Sequence, residues 1–327
     1  MARSDLILSL IRTGTRGDQP LFRKAAEAII AEERAKQHHV LADQLTEAMK
    51  PNGAPDRPLL AQQNGLAGDL HYEISPRRKL GDLVLPVLVR RICQELVEEQ
   101  HRQELLASHG LEPRNRVLLV GPPGNGKTSL AEAIAEALMV PLASARYDGL
   151  IGSYLGETAS RLRKLFDYVR TRRCVLFFDE FDTLGKERGD AHDTGEIKRV
   201  VSSLLLQIDS LPSYVVVITA TNHPELLDRA VWRRFQVRLQ LPPPSHSEIE
   251  DWFRRAEQKL GKSFDYPLAK IAETLQVSSF SELEDFCADL LRRFILAGPD
   301  AEMKVLVMER LEQWRERRDA RKQARAK

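Results

Sequence analysis

With 327 residues, 43% of them hydrophobic, the chain can bury a sizeable core across two or three domains, which excludes a disordered protein. A formal net charge of +2, with 29% charged residues, gives no bias towards nucleic acid or membrane, so partners have to be read from sites. Cys93, Cys174 and Cys287 stand far apart with no CxxC pair, which fits reduced core thiols in a cytosolic protein.

The opening "MARSDLILSLIRTGTRGD" carries an apolar run too short and too charged for a signal peptide, and no later run reaches membrane-spanning length. A cytoplasmic protein with no membrane anchor is expected. "SDLILSLIR" begins with a Ser or Asp cap, and "QPLFRKAAEAIIAEERAKQHHVLADQLTEAMK" is rich in helix formers, with Leu21, Ala25, Ala28 and Ile29 at helical spacing. Residues 1–50 therefore read as a separate helical domain with one face on a partner helix. His38 and His39 are adjacent and cannot share a helical face as ligands four apart would, so they read as surface or packing histidines. The Pro-, Gly-, Asn- and Gln-rich stretch over 51–70 reads as a linker.

From about residue 80 the apolar runs "RVLLVG", "CVLFFDE" and "YVVVITATN" alternate with helical segments, the pattern of a parallel sheet with helices on both faces. "FQVRLQL" alternates Phe235, Val237, Leu239 and Leu241 with polar residues, as a strand with one wetter face would, and "PPP" at 242–244 closes an α/β domain placed over 71–242. Residues 243–327 read as a small helical domain running into a basic C-terminal helix or tail, whose charges read as a solvated face.

"GPPGNGKT", at 121–128, follows the strand "RVLLV" and opens the helix "SLAEAIAEALM", which is the strand-loop-helix context that a G-x-x-x-x-G-K-[ST] phosphate loop needs. Its nucleotide-binding residues are Gly121, Pro122, Pro123, Gly124, Asn125, Gly126, Lys127, Thr128 and Ser129. The glycines let backbone amides close round phosphates, and the start of the helix adds a favourable dipole. Lys127 would reach the β- and γ-phosphates and the Thr128 hydroxyl would ligate magnesium, so ATP and Mg2+ are the expected cofactors. "CVLFFDE" ends on Asp179, suited to hold the metal through water, and on Glu180, suited to polarise the attacking water. "ITATN" ends on Asn222, whose amide would orient the same water or bind the γ-phosphate.

In this order the features resemble those of the AAA+ ATPases, and most of all the AAA group of protein remodellers, from about residue 80 to 295. The resemblance implies a parallel five-stranded nucleotide-binding sheet in the order 5-1-4-3-2, a helical lid, and ring-shaped homo-oligomers, usually hexamers. It implies that Lys127 and Thr128 serve Mg·ATP, Asp179 and Glu180 the metal and the water, and Asn222 the γ-phosphate. Arg233 and Arg234 of "WRRF" would reach the neighbouring subunit's site and neutralise charge developing on the γ-phosphate; the alternative is that both pair with local carboxylates. Tyr154, Leu155 and Gly156 match the pore loop with which such rings grip an extended polypeptide, the alternative being that Tyr154 packs on its own subunit. "GKERGDAHDTGE", at 185–196, falls where a second pore loop lies.

Two segments depart from the family pattern. "LGDLVLP", at 80–86, replaces the "DIGG"-like adenine contact, and Phe280 and Ser281 of "SSFSELEDFC" replace a Gly-Ala pair of the lid, where no arginine occurs. The N-terminal helices are similar to those of single-ring bacterial AAA proteins encoded beside a subtilisin-like serine protease, some in antiviral defence modules, which implies a serine protease partner. Neither HExxH nor GxSxG occurs in the chain, so any proteolysis must come from such a partner. The expected function is ATP-driven remodelling, unfolding or translocation of a protein substrate through a central pore. A nucleic-acid motor or loader, supported by the basic tail and "PRRK" at 76–79, and a nucleotide-controlled scaffold that gates an effector are the alternatives.

Overall fold

The apolar runs of the sequence become the centre of one sheet in a computed structural model of the chain, which describes residues 19–36, 38, 42, 45–46, 70–146, 155–184, 193–277, 279–298 and 301–325. The helix expected in "SDLILSLIR", His39, the stretch 51–69, Tyr154 and residues 185–192 lie outside the described residues. In chain order, α1 (Gln19–Ala35) and β1 (His71–Ile74) precede α2 (Val87–His101), α3 (Gln103–Ser108), β2 (Arg116–Val120) and α4 (Lys127–Ala137). Then come β3 (Leu142–Ala145), α5 (Leu155–Arg170), β4 (Val175–Phe178), α6 (Asp193–Asp209), β5 (Val216–Thr221), α7 (Arg229–Arg234) and β6 (Val237–Gln240). Four helices follow the sheet: α8 (His246–Leu260), α9 (Leu268–Leu275), α10 (Phe280–Ala297) and α11 (Met303–Arg325).

The buried stripe of α1 runs through Ala25, Ala26, Ile30 and Glu33, while Ala28, expected on that face, is exposed and Ile29 half-buried. The stripe turns because Glu33, only 2% exposed, has a partner: His38 Nδ1 lies 2.7 Å from its Oε2. His38 is thus an exposed histidine tied to α1 by one hydrogen bond.

The sheet order is β1-β3-β4-β5-β2-β6. Read from the β6 edge, the five parallel strands β2 to β6 follow the expected order 5-1-4-3-2. A sixth strand, β1, was not expected. It runs antiparallel beside β3, from His71 opposite Ala145 to Ile74 opposite Leu142. Its half-buried Glu73 is fixed by α5 and the turn after it, for Tyr168 Oη donates to Glu73 Oε1 at 2.6 Å and Arg172 donates to the same oxygen at 3.0 Å while stacking on the Tyr168 ring.

Because side chains alternate along a strand, β2 sends Leu118 and Val120 into one core with Phe166, Phe178 and Leu204, and Val117 and Leu119 into another with Cys93, Leu96 and Ile134. Helices α5 and α6 cover the first face, α2 and α4 the second. The third core belongs to α8–α11, where Phe253 meets Phe264 and Phe286 edge-on at 5.6 and 6.1 Å. All three cysteines are buried and free, and burial pushes the Cys93 and Cys174 thiols up to about 12, as inert reduced thiols require. Among the described residues no helix is long and apolar enough to cross a membrane.

The loop after β2 passes so close to β6 that a Cβ on Gly121 would lie 2.2 Å from the Leu241 carbonyl oxygen. Backbone blocks it, so only glycine fits. Gly121→Ala should destabilise the fold by about 3 kcal/mol, the upper end of ordinary single substitutions, read as a lowered urea midpoint.

Candidate active site

Parallel pairing of β5 with both β4 and β2 brings three carboxyl ends side by side, the place where open α/β sheets hold ligands. The loop 121–126 leaves β2, Asp179 and Glu180 follow β4, and Asn222 follows β5. Gly124 and Gly126 take left-handed φ values of +77° and +79°, which turn the chain into α4.

Lys127 is 6% exposed, and its three donors are all engaged, by Gly121 O at 2.7 Å, Pro122 O at 2.9 Å and Asn222 Oδ1 at 2.6 Å. Burial pulls its pKa below the ordinary lysine value, opposed by the carboxylates of Asp179, Asp182 and Glu180. Thr128 Oγ1 donates to Asp179 Oδ2 at 2.9 Å, and the other Asp179 oxygen accepts the Glu180 N–H at 2.9 Å. Glu180 is exposed and sits at φ +46°, a left-handed conformation that a non-glycine residue keeps only where its surroundings impose it. Glycine-shaped loop, buried ammonium and a hydroxyl-carboxylate pair of hard oxygens together fit a magnesium nucleotide.

Two residues escaped the sequence reading. Asp182 is 2% exposed, and its Oδ1 accepts from Thr221 Oγ1 at 2.9 Å and from the Asn222 N–H at 3.3 Å, tying the turn after β4 to the end of β5. The "DEFD" run was its only signal. Arg78 was missed as well: its guanidinium donates to Ser129 Oγ at 2.6 Å while the Arg77 and Arg78 N–H groups donate to Glu132 at 3.1 and 3.3 Å. Within "PRRK", the Arg78 side chain and the two arginine N–H groups thus contact the first turns of α4, while Arg77 and Lys79 are exposed. The segment after it forms a short 3₁₀ turn, Leu80–Asp82, whose neighbouring carbonyls are held by Arg90 and, from α8, by Arg255.

The two arginines of α7 part company. Arg234 forms an ion pair with Asp209, which also accepts from Arg116 at 2.7 Å, so the chain offers Arg234 a local carboxylate. Arg233 is exposed, with no ion pair among the described residues. Arg116 starts β2 and the phosphate loop follows its other end, about 13 Å away at about 3.3 Å per residue, so the Arg234 anchor sits at the far end of the strand from this chain's own cradle. Leu155 and Gly156 open α5 as its first two residues; Tyr154 precedes them outside the described residues.

Residues 117–243 match the family model of the ATPase family associated with various cellular activities (AAA). An uncharacterised AAA family ATPase of Sinorhizobium fredii is 37% identical over 303 residues, 90% of this chain and 90% of that one. A peroxisomal ATPase of Schizosaccharomyces pombe is 39% identical over 185 residues, 54% of this chain and 19% of its own. A cell division cycle protein 48 homolog of Archaeoglobus fulgidus is 33% identical over 191 residues, 57% of this chain and 26% of its own. The chain thus spans most of the first relative and a minor part of the other two.

Asp182→Ala should leave Thr221 and the Asn222 N–H without their acceptor and let Asn222 drift, which should lower steady-state ATP turnover about tenfold to a hundredfold. Asp182→Asn, which keeps one acceptor oxygen, should lose less; equal turnover in all three proteins would contradict the positioning role.

Proposed function

The chain belongs to the AAA family of ATPases and is itself an ATPase, and from that premise we propose that it works as a ring of identical copies that couples ATP hydrolysis to the remodelling or threading of a protein substrate. The observation that carries the shared site is the arginine pair, anchored through Asp209 at the far end of β2 from the cradle beside it in the same chain. A neighbour's cradle is the natural destination for Arg233.

In this reading the loop amides and Lys127 hold the β- and γ-phosphates, the ammonium exchanging the Gly121 and Pro122 carbonyls for phosphate oxygens. Thr128 and Asp179 would hold Mg2+, which when bound neutralises charge on the phosphate oxygens. Glu180 polarises the attacking water, and Asn222, steadied by Asp182, orients it or senses the γ-phosphate. Arg233 from the next copy neutralises the charge that develops as the bond breaks, an effect worth roughly 10³ to 10⁵ in rate in other nucleotide hydrolases. Arg234 keeps α7 in place through Asp209.

The substrate end of the proposal rests on Tyr154, Leu155 and Gly156, just ahead of and within the start of α5. Aromatic faces on a ring of such segments grip an extended chain without reading its sequence, at small cost in rotamer freedom. The partial relatives are named as a peroxisomal ATPase and a cell division cycle protein, which supports a common motor on which different substrates are met. Residues 1–50 are the proposed docking module, and a separate serine protease would have to supply any proteolysis.

Tyr154→Ala should keep ATP turnover within about twofold while abolishing ATP-dependent unfolding of a tagged test protein; undiminished unfolding would contradict threading. Glu180→Gln should lower turnover by about 10² to 10⁴ and trap ATP on the assembled ring, measured by retained radiolabelled nucleotide. Added DNA or RNA should leave turnover flat, whereas salt-sensitive stimulation would favour a nucleic-acid motor.

A further inference from the structure

The first turn of α10 touches the phosphate loop, and each hydrogen-bond donor at that end can be followed. A helix leaves its first N–H groups without partners inside the helix. Here the Phe280 N–H donates to Asn125 Oδ1 at 3.3 Å, the Ser281 N–H to the Gly124 carbonyl at 3.1 Å, and the Glu282 N–H to the capping Ser279 Oγ at 3.4 Å. Two of the three acceptors thus belong to the phosphate loop. The contact is close, since a Cβ on Gly124 would lie 2.3 Å from Ser281 Oγ and 3.0 Å from Ser279 Cβ.

Asn125 is the odd member. It is 4% exposed, and its Nδ2 is buried with no hydrogen-bond partner among the described residues. Its orientation is fixed by chemistry: a backbone N–H can only donate, so the atom that faces Phe280 must be the carboxamide oxygen, and the NH2 group faces the other way. Buried donors without acceptors are rare and costly. With no acceptor among the described residues, the natural one is a ligand in the loop that holds Asn125, and a phosphate oxygen is the acceptor such a loop is built to receive.

We propose that Asn125 is a two-sided positioning residue: its Oδ1 caps the lid helix α10, and its Nδ2 donates to a phosphate oxygen of the bound nucleotide. Filling the cradle then acts on the lid through one side chain. Donation from Nδ2 polarises the amide and makes Oδ1 a better acceptor for the Phe280 N–H, the mutual strengthening expected of linked hydrogen bonds. The lid is held more firmly when phosphate is present and less firmly when it leaves. Phe280 and Ser281, where the lid departs from the Gly-Ala of the family pattern, are the residues whose N–H groups make the contact.

This inference rests on the ATPase reading, and ADP binding to the full chain separates the two. Calorimetry should give a measurable ADP affinity for the unaltered protein, and hydrogen exchange at the amides of 280–282 should slow when ADP is added. Asn125→Ala should bind ADP about tenfold more weakly and lose the slowing at Phe280, while the loop amides of Gly126 and Lys127 remain ADP-protected. Asn125→Asp keeps the acceptor but replaces the donor with a negative charge. It should retain protection at Phe280 without nucleotide and bind ADP more weakly than Asn125→Ala. Should Asn125→Ala bind ADP within twofold of the unaltered protein, or should ADP still slow Phe280 in that variant, the two-sided role is wrong. If the unaltered protein binds no ADP, the ATPase reading itself falls.

Discussion

Because β5 pairs in parallel with both β2 and β4, with Val120 opposite Thr221 and Phe178 opposite Thr219, three chain segments far apart in sequence leave the sheet at one edge. Lys127, Asp179, Asp182 and Asn222 meet only in that register. A slip of one residue would turn every core side chain to the opposite face, sending Val117 and Leu119 where Leu118 and Val120 belong. The two apolar cores therefore hold the site by holding the register, and the polar groups at its edge need only short tethers.

Those tethers share a logic. Lys127 is an expensive charge to bury, and the chain meets the expense with the carbonyls of Gly121 and Pro122 and the amide oxygen of Asn222. Asp179 is held by Thr128 and by the N–H of Glu180, and Asp182 by the end of β5. Lys127, Asp179 and Asn222 are each prearranged through a group from another segment of the site, so little reorganisation of these three is left for the moment of reaction. The lid joins the same set through Asn125 and Gly124.

Much of this could be read in the sequence because it depends on local pattern. The phosphate loop has fixed spacing, "RVLLV", "VLFF" and "VVVITAT" are unbroken apolar runs, and the alternation of Val237 and Leu239 with Arg238 and Gln240 gives a half-wet edge strand in β6. What could not be read depends on distant partners. "HYEI" carries a charge and no apolar run, and becomes a strand where β3 pairs with it and Tyr168 and Arg172 receive Glu73 at the sheet edge. In α1 the stripe follows Glu33 and not Ala28 because His38 satisfies the carboxylate. Asp182 looks like one more acid in "DEFD" until β5 is beside it, and the two arginines look alike until Asp209 takes one of them. Sequence spacing finds groups that act along one element; it is blind to those that act across elements.

The division between Arg233 and Arg234 leads to the central claim, that one copy contributes the cradle and the next copy the arginine. Mixing two inactive proteins tests it directly. Lys127→Ala copies have a disabled cradle and an intact Arg233; Arg233→Ala copies have the reverse. Combined at equal concentration they should recover ATP turnover well above either alone, because cradles of the second kind meet arginines of the first. A mixture as inactive as its parts, or an Arg233→Ala protein that turns over ATP at the full rate by itself, would contradict the shared site.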